Sequence, residues 1–173
     1  MKIADDHLFY GSAIIQVAED ESFTAINRFQ SERVDSQCAY WVNQDIGLYL
    51  KYRTEPNFEA MIDDKNAKVY IFVFNSETRR VIDEMANRSD RVFLGLVCVE
   101  DRQICCVSLA EYKDLLRRRF EALGEEDEQF RIQVGFTSGG KFRVYVTTPK
   151  RKGVPLGRVL RIAQSDFPSK VFR

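Results

Sequence analysis

The chain has 173 residues, 45% hydrophobic and 12% aromatic, enough to build one ordinary domain core and too apolar for a disordered segment. Basic and acidic residues balance at 26 each, yet Lys141–Arg173 carries nine Lys or Arg against the single acid Asp166, so that stretch is +8 and the rest −8. No apolar run approaches the roughly 20 residues that span a bilayer, and "MKIADDHLFYG" has acids where a signal peptide needs a positive lead. A cytoplasmic protein with no membrane partner is expected.

In chain order, "DHLFYGSAIIQVAE" predicts a first helix over Asp6–Glu19, with Asp6 as N-cap and Phe9, Ala13, Ile14 and Val17 on one stripe. "SFTAINRF" predicts a short second helix capped by Ser22. A hairpin follows: "CAYWVN", a turn at Gln44–Asp45, then "IGLYLKYR". On its second strand Ile46, Leu48, Leu50 and Tyr52 share one face, while Gly47, Tyr49, Lys51 and Arg53 share the other.

"VYIFVF", Val69–Phe74, is continuously apolar, as in a strand covered on both faces. Asn75 or Ser76 caps a helix to about Asn87, with Val81, Ile82 and Met85 inward. "RVFLGLVCV" repeats the buried-strand pattern. The run Val92–Val99 and the run Val69–Phe74 are expected to be central, parallel neighbours joined by that helix. A turn at Asp101–Gln103 leads back through "ICCVSL". Ser108 and Glu111 form a capping box for a helix whose stripe is Tyr112, Leu115, Leu116, Phe120 and Leu123.

After the acidic "GEEDEQ" comes a clean hairpin. Phe130, Ile132, Val134 and Phe136 alternate with polar residues, "TSGG" turns, and Phe142, Val144 and Val146 alternate back. One face is expected to cover the core and the other to meet water. The remaining segment to Arg173 shows no clear periodicity. The fold class is therefore mixed α/β in a single domain, 1–173, with a core over 6–123 and a C-terminal β addition over 130–173.

Cys38, Cys98, Cys105 and Cys106 sit in apolar strand-like runs, and the adjacent Cys105 and Cys106 point to opposite faces, so the four read as small buried hydrophobes. His7, the only histidine, sits by the first helix start with no nucleophile elbow and reads as structural or solvent-facing. Thr137–Lys141, "TSGGK", joins two antiparallel strands and reads as a hairpin turn, because a phosphate loop would feed a helix. Trp41 with Tyr40 and Tyr49 could stack bases, but core packing is the simpler reading.

The order helix, hairpin, strand, helix, strand over roughly Asp6–Leu123 resembles the restriction-endonuclease-like core of the PD-(D/E)XK nucleases. In that superfamily the second hairpin strand carries a carboxylate, any residue, then a lysine. Residues two apart on a strand face one side, so the acid can hold Mg²⁺ while the lysine supports the attacking water or the developing phosphate charge. Here Tyr49-Leu50-Lys51 keeps the lysine and has tyrosine for the acid. The resemblance implies a remnant catalytic centre of Lys51 with Asp35 first and Asp45 second. A similar "IGLYLKY" hairpin occurs in short bacterial proteins, a likeness that implies no function.

The charge asymmetry hints at DNA or RNA as partner, and a solvated basic tail, or one paired to acids such as the run Glu125 to Glu128, explains it equally well. The expected function is a nucleic-acid-binding module of nuclease-like fold with an inactive centre, contacting phosphates through Lys150, Arg151 and Lys152. No cofactor is expected, apart from Mg²⁺ if the centre is active. Two alternatives stand beside it: an active Mg²⁺-dependent nuclease using rearranged acids, and a non-catalytic protein-interaction module.

Overall fold

The computed structural model describes residues 1–32, 38–57, 68–137, 139–151 and 153–173. These residues form three α-helices and nine strands in two sheets, a mixed α/β architecture. In chain order they are α1 (Asp5–Ala18), β1 (Ile26–Arg28), β2 (Ala39–Val42), β3 (Ile46–Arg53), β4 (Lys68–Phe74), α2 (Ser76–Arg88), β5 (Val92–Cys98), β6 (Gln103–Ser108), α3 (Leu109–Leu123), β7 (Phe130–Phe136), β8 (Phe142–Tyr145) and β9 (Leu160–Ile162), ending in a 3₁₀ turn, Ser169–Phe172. The five-stranded sheet has the order β1-β2-β3-β5-β6 and the four-stranded sheet β4-β7-β8-β9. No helix among the described residues is long and apolar enough to cross a membrane.

The two sheets pack face to face. Leu94, Leu96 and Cys98 of β5 and Cys105 and Val107 of β6 meet Tyr70, Phe72 and Phe74 of β4 and Phe130, Ile132 and Val134 of β7. Val81, Ile82 and Met85 of α2 and Tyr112 and Leu115 of α3 complete this main core, at the helical spacings the sequence predicts. The other face of the five-stranded sheet carries Leu48, Leu50, Phe93, Val97 and Cys106, covered by Ala13 and Val17 of α1 and by Phe167 and Val171 near the C-terminus. Gly95 makes room for that second layer: a Cβ there would stand 2.7 Å from Leu50 Cδ2.

The helix boundaries follow local capping chemistry. Asn75 accepts the Thr78 N–H at 2.9 Å, and Ser108 and Glu111 form the expected capping box, at 3.3 and 2.8 Å. At α1 the cap lies earlier than Asp6. The helix starts at Asp5 after Ala4, and His7 Nδ1 accepts the Ala4 N–H at 3.0 Å, so the histidine is an exposed end-group of the helix. Phe120, expected inward on α3, is 48% exposed.

"SFTAINRF" is not helical. Ile26–Arg28 pairs antiparallel with β2, and Asn43 decides the geometry. With Gln44 it takes positive φ, 52° and 76°, which turns β2 back into β3. Its side-chain Oδ1 accepts from the Thr24 N–H at 2.7 Å and the Ala25 N–H at 3.3 Å, and its Nδ2 donates to Ser22 O at 2.6 Å. The backbone polar groups that a helix would have satisfied are met by this one side chain.

The larger correction concerns the two apolar runs. They lie in different sheets: β5 is central between β3 and β6, while β4 is an edge strand paired antiparallel with β7. The parallel neighbour of β5 is β3, with Gly47 opposite Val92 and Arg53 opposite Cys98. The strand adjacency on which the likeness to the nuclease core leaned is thus absent. The sequence of β4 looks central because its outward residues are apolar too. Val69 and Ile71 are covered by Tyr145 and Val159 from the C-terminal segment.

Candidate functional site

Tyr49 and Lys51 share a face of β3, as alternation requires, but that face meets the main core instead of a cleft. Tyr49 is 4% exposed and hydrogen-bonded with Cys38 and Thr78. The Lys51 ammonium sits 5.7 Å from the centre of the Phe74 ring, a cation–π contact with its stem on apolar surface. Among the described residues no carboxylate comes within ion-pair reach of it. Burial lowers its pKa, with nearby Cys38 pulling the other way. Asp45 lies at the far end of β3, about 20 Å along the strand, where it pairs with Arg91 at 2.8 Å. Asp35 lies outside the described residues. The structure does not bring Lys51 and Asp45 together.

The other sequence candidates are structural in geometry. Trp41 packs edge-on against Phe29, with ring centroids 5.6 Å apart, and Tyr40 borders the opposite core, so the two do not form one stacking platform. Thr137–Lys141 turns between β7 and β8 with Gly139 at φ 75°. Cys105 faces the main core and Cys106 the second; burial raises both thiol pKa values, that of Cys106 to about 12. Among the described residues no three His, Cys, Asp or Glu side chains converge to hold a metal.

The outer face of the four-stranded sheet is different. Ile132, Val134, Phe142, Val144 and Ile162 point into the core, so Arg131 and Gln133 of β7, Arg143 and Tyr145 of β8 and Arg161 of β9 point away from it. Arg143 stands directly opposite Arg161 in the register. Like charges facing each other across two strands are destabilising, yet neither guanidinium has an acidic partner among the described residues. The same holds for Arg131, Lys141, Lys150, Arg151 and Arg158, all exposed.

Lys150 and Arg151 occupy the tip of a loop closed by the Thr148 N–H to Val154 O hydrogen bond, 2.9 Å, and the Thr147–Pro155 bridge. Lys152 lies outside the described residues. Within the acidic run after α3, Asp127 is held by Arg119 at 2.9 Å. Two basic residues of the +8 segment are engaged elsewhere. Lys170 bonds Glu111 and Cys106 O, both at 3.1 Å, which pins the C-terminus to α3, and Arg173 donates to Ser169.

This face does not simply meet water, as its alternation suggested. Gln133 is 6% exposed and Tyr145 2%. A cavity of about 340 Å³ opens there, lined in part by Ile71, Arg119, Arg131, Gln133 and Thr147. Gln133 Oε1 is buried and has no hydrogen-bond partner. Arg131, Gln133 and Arg143 were legible as the polar face of "FRIQVGF" and "FRVY"; Arg161 lies in the segment without clear periodicity, and its place on this surface needed the β8–β9 register. Comparison with family models, curated proteins and solved structures finds no match.

Proposed function

We propose that the chain is a nucleic-acid-binding module that holds the phosphate backbone on the outer face of its four-stranded sheet and does not cut it. The observation that carries this reading is Arg143 opposite Arg161 with no acidic partner among the described residues. A polyanion would turn that unfavourable pair into two adjacent phosphate contacts. Arg131 is a further cation on the same face, four residues along β7 from the Gly135 that faces Arg143, and the Lys150–Arg151 loop borders Arg131 through Thr147 and Gly153, which line the adjoining cavity. Lys51 has no carboxylate within ion-pair reach among the described residues, which supports a reading without cutting.

The test is fluorescence anisotropy with labelled single-stranded and duplex DNA and RNA, longer than the roughly 4–16 nucleotides a small binding domain covers. Wild type should bind at low salt, and Arg143→Ser with Arg161→Ser should weaken binding by about tenfold or more. No binding by wild type would favour the protein-interaction class. Cleavage in Mg²⁺ or Mn²⁺ that Lys51→Ala abolishes would establish an active nuclease instead.

A further inference from the structure

We propose that the outward face of α1 is a docking surface for a basic amphipathic helix of a partner protein. Apart from Met1, the large hydrophobic side chains left exposed among the described residues are Ile3, Leu8, Ile15 and Phe120. Three of those four lie on α1 or just before it. Leu8 and Ile15, 55% and 60% exposed, stand seven residues apart and so share one side of the helix. Ala13 and Val17 mark the opposite side, buried on the five-stranded sheet. Gly11 lies between the two exposed anchors, and a Cβ there would meet nothing within 4 Å. The face is thus two apolar knobs with an open gap between them, at the spacing with which one helix meets another. The two sheets separate it from the arginine face, so this inference does not depend on nucleic-acid binding.

Charge selects the occupant. Residues 5–21 carry five acids, Asp5, Asp6, Glu19, Asp20 and Glu21, and no Lys or Arg. Asp6 is hydrogen-bonded with Tyr52, and Asp20 accepts the Ser22 N–H at 2.9 Å. Asp5, Glu19 and Glu21 are exposed and have no ion-pair partner among the described residues. The last turn of α1 has no base, so Glu19 and Glu21 stand uncompensated at the negative end of the helix dipole, where cations are favoured. Lys2 lies at the other end, ahead of Asp5. Arg28, which lines a cavity with His7 and Tyr10 of α1, is already engaged within the chain. A second copy of this chain is a poor occupant: whichever way two α1 helices run, acids meet acids at both ends of the seam. A helix with apolar residues at heptad spacing and Lys or Arg beside them fills the gap at Gly11 and neutralises the acidic ends.

The probes are three synthetic peptides of about three heptads: one with leucine at the a and d positions and lysine and alanine elsewhere, a sequence isomer without that spacing, and a glutamate analogue of the first. In calorimetric titration of the full chain, the basic amphipathic peptide should bind about tenfold or more tighter than either of the others. Leu8→Ser with Ile15→Ser should erase that preference at unchanged melting temperature. Gly11→Gln should also weaken binding while it stabilises the free protein, because it fills the gap and removes a helical glycine. Glu19→Gln with Glu21→Gln should weaken binding and flatten its salt dependence. Arg143→Ser with Arg161→Ser should leave peptide affinity unchanged, which keeps this surface distinct from the nucleic-acid face. Should a variant fail to fold, the Leu8 and Ile15 methyl resonances of wild type decide, shifting with the basic amphipathic peptide and not with its isomer. Equal binding of the three peptides, or a preference that survives Leu8→Ser with Ile15→Ser, overturns the docking surface. So does a wild-type dimer in sedimentation that the same double variant dissociates, since a second copy would then cover the face.

Discussion

The Lys51 end of β3 and the outer face of the four-stranded sheet both place cations on strands, and they differ in what surrounds the charge. Lys51 lies over Phe74 beside a buried Tyr49, so a single charge is partly withdrawn from water and its pKa is lowered by burial. Arg143 and Arg161 face each other with no described acid, and on the same face the buried Gln133 Oε1 lacks a partner. The first arrangement is a lysine stem used as packing. The second is a like-charge pair with no acidic partner among the described residues. A position that resembles an enzyme family's motif is weaker support for a site than polar groups that the fold gathers without partners among the described residues.

The largest effect that could break this contrast is charge reversal. Arg143→Glu with Arg161→Glu should reduce nucleic-acid affinity by about a hundredfold or more at low salt, read by anisotropy, while Lys51→Ala leaves affinity unchanged. Comparable losses in both variants would erase the distinction between the two regions. A smaller loss, about tenfold, is expected from Lys150→Ala with Arg151→Ala and Lys152→Ala, because that loop borders Arg131 without forming the Arg143–Arg161 pair.

Stability sharpens the same contrast. Lys51→Met should raise thermal stability at neutral pH by about 0.5–1 kcal/mol, since it replaces a partly desolvated charge with an apolar side chain of similar length. The sign with pH follows from the lowered folded pKa. The unfolded chain binds more protons at this site, so wild-type stability rises as pH climbs from that folded value towards the ordinary lysine value near about 10.4. Lys51→Met should lack that rise in a pH series of melting curves. A destabilised Lys51→Met with no change in alkaline slope would mean the ammonium has a partner that holds it.

A milder effect is expected at the tie between the sheets. Asp101, in the β5–β6 turn, takes hydrogen bonds from Lys68 and Tyr70 of β4. Burial raises its pKa, but the bonds from Lys68 and Tyr70 outweigh it and the net shift is downward. Its contribution is present above the unfolded aspartate value of about 3.9 and is lost as pH falls through the lower folded value. Asp101→Asn should flatten that acid limb of stability; an unchanged limb would show that the tie is not formed. The smallest effect belongs to Arg91→Ala. It breaks an exposed pair with Asp45 and should change stability by less than about 0.5 kcal/mol and binding not at all.

Local patterns made much of this molecule legible in the sequence. The Asn75 and Ser108 caps, the Val81-Ile82-Met85 stripe and the β7–β8 hairpin follow from spacing over a few residues, and the structure has them where spacing puts them. What the sequence did not show depended on distant partners. β4 is apolar on both sides because Tyr145 and Val159 cover its outer residues, and no local window distinguishes that from a central strand. Residues 26–28 became a strand because Asn43, far along the chain, satisfies the loop before them. The arginine face was half visible. The +8 segment marked the region, but the opposition of Arg143 and Arg161 exists only once β9 has joined the sheet.

The most direct measurement of the central claim is the dependence of nucleic-acid affinity on salt, as log K against log[salt], for wild type and for Arg143→Ser with Arg161→Ser. Each phosphate neutralised contributes about −0.7 to −0.9 to the slope, so losing two contacts should flatten it by about 1.4–1.8. That outcome places phosphates on the paired arginines. Parallel lines for the two proteins, or a wild type that binds no nucleic acid at low salt, would contradict the account.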